Sequence, residues 1–391
     1  MSHAVRRFFA VFSFAFFLAV PLVSPAATVT LAGFAYAGDS KSIAARFPYT
    51  QQLETALRKS GNPLNKQVAQ AVLAQKPQNF DLSVGALSEL KGQDQVIVVA
   101  LVVTEETVSV EPFGSYAKLL TQIRAQAMFF DFKSMTMLRA YPFRFTHLDV
   151  VDHMPSPAEV DQRVRLVYFG DQSKPGIITR FASALNTAVV PNNVPRFLQV
   201  TKVTLGDEAR AGLSDKLKSA PGVAETWAAD LFSEALSSKT GVPLLPYSKG
   251  YAVGNVMSMR IADGDVFNLK IPEPDYTITL DIPRFRRIKS GESAAGTSYI
   301  YGAYAHLKLE EPVSGKVYLE SDFKNGEVKA VPASQTVIDD FPAYYDALNG
   351  LFNKLGDNIG GKPSDWLQTA ASEKNIQKQI NTTQELLKSC K

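Results

Sequence analysis

The sequence predicts an α+β protein with two repeated small domains, each a mixed or antiparallel sheet with helices on the sheet face, plus C-terminal helices. Three observations predict this fold class. Some stretches alternate strictly between apolar and polar residues, which indicates half-buried strands. Other stretches carry apolar residues at i, i+3 and i+4, the spacing of an amphipathic helix. Finally, the order of these stretches in residues 27–195 returns in residues 196–332, which indicates an internal repeat.

The first 26 residues have the composition of an export signal. Arg6 and Arg7 precede an apolar, Phe-rich run at 8–23, and the small residues Ser24-Pro25-Ala26 follow it. The apolar run is short for a transmembrane helix, which needs about 20 residues. We therefore predict a cleaved signal peptide over residues 1–26, a periplasmic location, and no integral membrane span after cleavage.

The first repeat opens with an apolar strand at 28–36, followed by helical stretches at 45–60 and 63–76. Residues 96–103 are apolar at every position, which is typical of a central strand covered on both faces. Residues 119–145 then complete a three-stranded antiparallel run, broken near Lys133 and Ser134.

The stretch that joins the two repeats is harder to assign. Residues 147–161 are acidic and contain two prolines, which predicts a connector. A short strand is predicted at 163–169 and a helix at 177–185. Pro191-Asn192-Asn193 breaks the pattern, and we place the domain boundary there, at residue 195.

The second repeat follows the same order. Its opening strand is predicted at 197–205, its helix at 223–239, and its antiparallel strands at 275–323. Beyond the domain end at residue 332, the segment 333–391 carries an amphipathic helix at 337–355 that should dock on the second sheet. The tail from residue 372 is polar enough to predict partial disorder.

The two repeats share short motifs. The second has Asp275-Tyr276-Thr277-Ile278 at a strand start and Glu311-Pro312-Val313-Ser314-Gly315-Lys316-Val317 at its last hairpin. The first keeps Asp94 and Ser134 but has Met135 where the turn glycine would be. This arrangement resembles the TolB N-terminal domain and its relatives in the curli channel protein CsgG and the flagellar protein FlgT. The resemblance implies a non-enzymatic part of a periplasmic or outer-membrane assembly. Since the lipidated cysteine of CsgG is missing here, it implies an accessory role.

Charge and cysteine content exclude some classes of protein. The formal net charge is only +3, which argues against bulk binding to nucleic acid. The single cysteine is Cys390, next to the last residue, so no internal disulfide can form. A thiol on the tail could still pair with a second chain.

One motif suggests an enzyme. Gly38-Asp39-Ser40 follows the first strand and is similar to the nucleophile block of the GDSL esterases. That chemistry needs a histidine base held by a carboxylate. None of His147, His153 and His306 lies in such a block, so a turn that caps the next helix is the main interpretation, and a hydrolase using Ser40 is the alternative.

A second cluster could hold a metal ion. His147, Asp149, Asp152 and His153 lie within seven residues, but their spacing matches no established metal motif. The sequence also lacks phosphate-binding glycine loops, zinc-protease helices and calcium loops. We therefore predict no metal, no cofactor and no catalytic residue.

The best candidate for an interaction site is a group of basic residues. Arg284, Arg286, Arg287 and Lys289 come at the start of a predicted Gly/Ser/Ala loop that runs to Ser298. They could contact a glycan, a lipid headgroup or an acidic protein face, or they could simply be solvated.

The functional prediction follows from these points. We expect an exported accessory or assembly factor of the cell envelope that binds an envelope protein or itself, and not an enzyme. A module that binds a glycan or small ligand between the domains is an alternative. Trp227, Trp366 and the fourteen tyrosines could stack on sugars, although their periodicity favours core packing.

Overall fold

The computed structural model describes residues 28–38, 43–85, 90, 96–113, 116–190, 196–247, 252–253, 255–261, 264, 266–333 and 338–391. The predicted signal peptide and the Asp39-Ser40 pair lie outside these residues. The strands are β1 (Thr28–Ala37), β2 (Asp81–Ser83), β3 (Ile97–Phe113), β4 (Tyr116–Asp131), β5 (Thr136–Val151), β6 (Leu198–Leu205), β7 (Ala252–Val253), β8 (Val256–Ile261), β9 (Val266–Lys270), β10 (Tyr276–Ser293), β11 (Gly296–Glu311) and β12 (Lys316–Pro332). The helices are α1 (Ile43–Arg46), α2 (Pro48–Lys59), α3 (Leu64–Gln75), α4 (Pro157–Phe169), α5 (Ile177–Thr187), α6 (Asp207–Ala211), α7 (Asp215–Lys218), α8 (Val223–Thr240), α9 (Phe341–Ile359), α10 (Trp366–Ala370) and α11 (Ile376–Lys388).

Both halves of the chain build the same sheet. In the first half, β1 runs parallel to β3, and β3, β4 and β5 form an antiparallel meander. In the second half, β6 runs parallel to β10, and β10, β11 and β12 form the meander. The α+β class, the repeated sheets and the C-terminal helices are therefore confirmed.

Irregularities in the strands repeat as well. The pairing of β4 with β5 shifts between Phe129 and Phe130, and that of β11 with β12 shifts between Leu309 and Glu310. Each shift lies 180 residues from its counterpart, since 309 − 129 = 180. A bulge re-aims the side chains around it, so one at the same place in two sheets indicates one repeated design.

The hairpin turns of the two meanders also correspond. Each turn has four residues, 132–135 in the first sheet and 312–315 in the second. Gly315 has a φ of 68°, and Met135, at the same position, has a φ of 51°. The motif mismatch at residue 135 is therefore a change of residue within a conserved backbone shape, one that costs a side chain about 1–2 kcal/mol.

The first sheet is covered on both faces, as the sequence of residues 96–103 predicts. Helices α2 to α5 cover one face, where Phe34, Leu101 and Phe129 are buried. Strands β8 and β9 fold over the other face and enclose Met128, Met137 and other apolar residues. Strand β8 pairs with β1, and Lys270 of β9 pairs with Thr136 of β5, so this sheet closes on itself.

This second cover comes from an unexpected part of the chain. Residues 252–270 fall within the predicted second domain, yet they pair only with the first sheet in the described part of the chain. The two halves therefore exchange a segment. The reason is local: β2 occupies the edge of β1 only up to Thr30, which leaves Ala35–Ala37 free to pair with β8.

Several local predictions need correction. Residues 163–169 form the end of α4 and not a strand, because Ser156 and Glu159 form a capping box that starts a helix at Pro157. The predicted connector is thus mostly the end of β5 and the start of α4. The polar tail is ordered: α11 buries Ile376, Ile380 and Leu387 against the second core.

The predicted helix at 337–355 is confirmed as α9, which packs on β11, β12 and α8. Helix α8 in turn packs on β5 of the first sheet, so it joins the two halves. The sequence does not anticipate this junction, because the charged residues that form it look like an ordinary solvated face.

The junction is built around a buried arginine. Arg124 of β4 is 1% exposed and lies 3.2 Å from carboxylate oxygens of both Glu105 and Glu234, and 3.7 Å from Asp230. Arg144 adds a second contact to Glu234 at 2.9 Å. Burial lowers the pKa of Arg124, but the nearby carboxylates, Glu234 first, raise it further, so this guanidinium stays charged.

Candidate interaction surface of the second sheet

The four predicted basic residues lie on a strand and not in a loop. Strand β10 continues to Ser293, and the connection to β11 is a tight turn. Side chains on a strand point alternately to opposite faces. The predicted basic loop is therefore wrong as a loop, and its members are divided between the two faces of the sheet.

Two of the arginines share the open face. Arg284 pairs with Tyr304 of β11, and its guanidinium carbon lies 4.6 Å from the centre of that ring. Arg286 pairs with Gly302 and forms an ion pair with Glu208 at 2.9 Å. A guanidinium over an aromatic face keeps its in-plane N–H groups available to an oxyanion.

The other two basic residues face the opposite side. Arg287 lies 2.8 Å from Asp340 and over the ring of Tyr299. Burial lowers the pKa of Arg287, but the bond to Asp340 gives a net increase. Lys289 pairs with Glu292 at 2.6 Å. These two residues therefore hold the sheet and its helix together locally and do not join the open face.

A groove crosses the open face at two glycines. Gly302 of β11 lies opposite Gly326 of β12, and this pair continues the row that starts at Arg286. A Cβ on Gly302 would lie 3.3 Å from the Tyr304 ring, and one on Gly326 would lie 3.3 Å from Ile300. Because neither glycine carries a side chain, a depression of about 360 Å³ remains between the neighbouring rows.

The far end of the groove is formed by helices. Lys354 of α9 donates to the amide oxygen of Asn325 at 2.7 Å and lies 6.0 Å from the ring of Trp366. Lys324 of β12 lines the same groove. The groove thus combines cations and aromatic rings on both sides of a flat backbone floor.

Next to the groove is an exposed apolar row. Ile288, Ile300 and Val328 are neighbours on three adjacent strands, and their side chains are 56%, 37% and 67% exposed. Scattered apolar residues on a surface are ordinary, but a contiguous row beside a charged groove is typical of an interaction site.

The edge of β10 is also available for contacts. Strand β6 pairs with β10 as far as Ile282. From Arg284 onward, no strand in the described ranges pairs with that edge. An unpaired edge presents backbone donors and acceptors in a regular row.

The predicted histidine and aspartate cluster does not converge. Asp149 binds Arg163 at 2.6 Å, while His153 binds Asp152 and Glu159, both at 2.9 Å. The bonds to Asp152 and Glu159 raise the pKa of His153. Among the residues with described positions, no group of three His, Cys, Asp or Glu side chains could hold a metal ion.

The remaining candidates divide. Trp227 is buried in the second core, whereas Trp366 is only partly buried and lines the groove. His306 faces the solvent on β11 and binds Asp322 at 2.8 Å. Ser40 lies outside the described residues, so the hydrolase alternative stays a prediction.

Sequence reasoning missed Tyr304, Lys324, Lys354 and the glycine pair. A signal was present: if β10 and β11 are aligned as a hairpin, Arg284 and Arg286 fall opposite Tyr304 and Gly302. The bulge between Asp281 and Arg284 hides this alignment, because it shifts the count by one residue. Lys354 and Trp366 come from distant helices and could not be placed.

No family model and no curated protein matches the chain. Among solved structures, a Xanthomonas campestris protein of the DUF330 family is similar, with 16% identity, a TM-score of 0.21, and coverage of 44% of this chain and 88% of that one. A minor lipoprotein from Acinetobacter baumannii has 9% identity, a TM-score of 0.20, and coverage of 44% and 93%. A neuraminyllactose-binding hemagglutinin homolog from Helicobacter pylori has 10% identity, a TM-score of 0.25, and coverage of 51% and 97%.

TM-scores at this level carry no argument about shared fold or function. The resemblance to TolB, CsgG and FlgT domains therefore stays a prediction. None of the helices in the described part of the chain combines the length and apolar character that a membrane-spanning helix needs.

Proposed function

We propose that this protein is a non-enzymatic accessory or assembly factor of the bacterial cell envelope, exported to the periplasm, that binds a partner protein through the open face of its second sheet. The observation that supports this proposal is the groove over Gly302 and Gly326, with cations and aromatic rings beside it and the exposed row at Ile288, Ile300 and Val328 next to it. The predicted export signal supports the location.

The chemistry of the groove favours one kind of occupant, an extended protein segment that carries acidic side chains and one apolar side chain. Arg284, Arg286, Lys324 and Lys354 contribute four positive charges, and Glu208 offsets only one of them. The three strands span roughly 10 Å, which is the length of about three extended residues. Carboxylates of the partner would meet the cations while its apolar side chain covers the exposed row.

Site-specific crosslinking in cells tests this proposal. A photoreactive phenylalanine replaces Ile288, which is 56% exposed, and a matched control replaces Leu148 of the first sheet, which is 55% exposed. We expect a discrete protein adduct from position 288 that is not formed from position 148. The crosslinked peptide should be acidic.

The charge dependence of that adduct is the decisive measurement. Combining Arg286→Glu with Lys324→Glu should abolish the adduct at position 288, because it reverses the charge at the centre of the groove. An adduct that survives this double reversal, or equal adducts from positions 288 and 148, would show that the groove does not select the partner.

A further inference from the structure

A second cavity lies at the junction of the two halves, away from the groove. Its volume is about 360 Å³, and it opens where β5 and the start of α5 meet α9. The first half supplies Arg144, Phe145, Lys174 and Arg180, and the second half supplies Tyr345 and Asn349. The site is therefore complete only when both halves are in place.

The charge of this cavity is one-sided. Three of its lining residues are cations, and none of the described residues that line it is Asp or Glu. Arg144 is already engaged, since it binds Glu234 at 2.9 Å and the amide oxygen of Asn349 at 2.6 Å. Lys174 and Arg180 form no ion pair within the described ranges, so two positive charges are uncompensated.

Arg180 is held in an orientation suited to an oxyanion. Its guanidinium lies over the ring of Phe145, with 5.1 Å from the guanidinium carbon to the ring centre. Its Nε donates to the carbonyl oxygen of Pro175 at 2.9 Å. The stacking and this bond fix the plane of the group, which leaves the two terminal nitrogens as donors toward an anion.

The surroundings of Arg180 offer no other compensation. Burial lowers the pKa of Arg180, and no neighbouring carboxylate raises it back. A cation that is partly desolvated without a partner gains more from a bound anion than an exposed one does.

From this geometry we propose that the cavity binds a phosphate group, with Lys174 and Arg180 as its direct ligands and Arg144 as the residue that shapes the floor. A phosphate carries up to two negative charges, which match the two uncompensated cations. Its tetrahedral oxygens can accept from the paired nitrogens of a guanidinium and from an ammonium group at once. A bound phosphate would touch both halves of the protein and would therefore hold them together.

Calorimetry on the mature chain tests the proposal, with inorganic phosphate and glycerol 3-phosphate as probes. We expect saturable binding at millimolar or lower concentration. Lys174→Gln and Arg180→Gln should each weaken it at least tenfold, because each removes one of the two free charges. Lys202→Gln, which neutralises an exposed lysine on β6, is the matched control and should bind like the unchanged protein.

The source of the phosphate is decided by a flotation assay with phosphatidylcholine vesicles that contain or lack phosphatidic acid. Flotation that needs phosphatidic acid and is lost in Arg180→Gln would assign the site to a lipid headgroup. Binding of the soluble probes without flotation would assign it to a soluble phosphate ester. No binding of any probe, or equal binding by both variants and the control, would overturn the proposal.

This outcome is independent of the function proposed above. Neither Lys174 nor Arg180 lies in the groove of the second sheet, so their substitution should leave the crosslink from position 288 unchanged. Failure of one proposal therefore does not imply failure of the other.

Discussion

Replacing Arg124 with methionine should destabilise the protein by about 3 kcal/mol. The substitution keeps most of the volume but removes the positive charge at the junction. Glu105, Glu234 and Asp230 would then face one another across a buried space. Removing one partner of a buried pair generally costs about 3–5 kcal/mol, because an uncompensated charge stays buried.

The structure places Arg124→Met at the lower end of that range. Arg144 still binds Glu234 at 2.9 Å, so one carboxylate keeps a partner. The side chain of Glu105 is 31% exposed and can regain water. The largest remaining cost falls on Asp230, whose side chain is 9% exposed.

Urea unfolding of the mature chain measures this loss. Arg284→Met, which removes an arginine from the open face of the second sheet, is the control and should change the free energy of unfolding by less than about 0.5 kcal/mol. Adding Asp230→Asn to Arg124→Met should restore part of the stability, because it removes a buried charge. A loss below about 1 kcal/mol, or no recovery with Asp230→Asn, would refute the view that opposite charges hold the junction.

Two further predictions concern buried ionisable groups. Glu106 accepts from the backbone N–H groups of Tyr49 and Thr50 at 2.9 and 2.7 Å and so caps α2; Glu106→Ala should cost about 2 kcal/mol, and unchanged hydrogen exchange at Thr50 would contradict this role. Burial raises the pKa of Cys390 to about 11, so the folded state loses stability as pH rises through the window from about 9 to 11. Cys390→Ala should lose less stability over that window, by on the order of 2 kcal/mol, and equal losses in the two proteins would show that the thiol does not titrate there.

The fold could be predicted well where local pattern and burial agree. Residues 96–103 are apolar at every position because both faces of β3 are covered, and the sequence records this directly. The repeat was visible because the two meanders keep their turns and bulges 180 residues apart. Helix α9 was visible because its apolar residues follow the helical period.

Local errors arose where two patterns compete. In α4, Val160, Val164 and Val167 follow the helical period, but the β-branched residues of the short run 163–169 also suit a strand. In α11, Ile376, Ile380 and Leu387 form a narrow apolar stripe within a polar composition. The capping box and the stripe were both present in the sequence and outweigh composition.

The candidate sites were harder to predict, because they depend on contacts between distant parts of the chain. The basic residues of β10 were identified, but a strand divides them between two faces. The groove needs α9 and α10, and the phosphate cavity needs α5 and α9. No local pattern specifies which cations lack a carboxylate partner.

The exchange of residues 252–270 sets the order in which the protein can mature. The first sheet can bury Met128 and Met137 only after β9 has been made, about 75 residues after the first half ends. At 5–20 residues per second this gap lasts roughly 4 to 15 s during synthesis. Throughout that time the nascent first half carries a methionine-rich surface that a folding helper could hold, so the last strands act as a timer that releases the first half from such help.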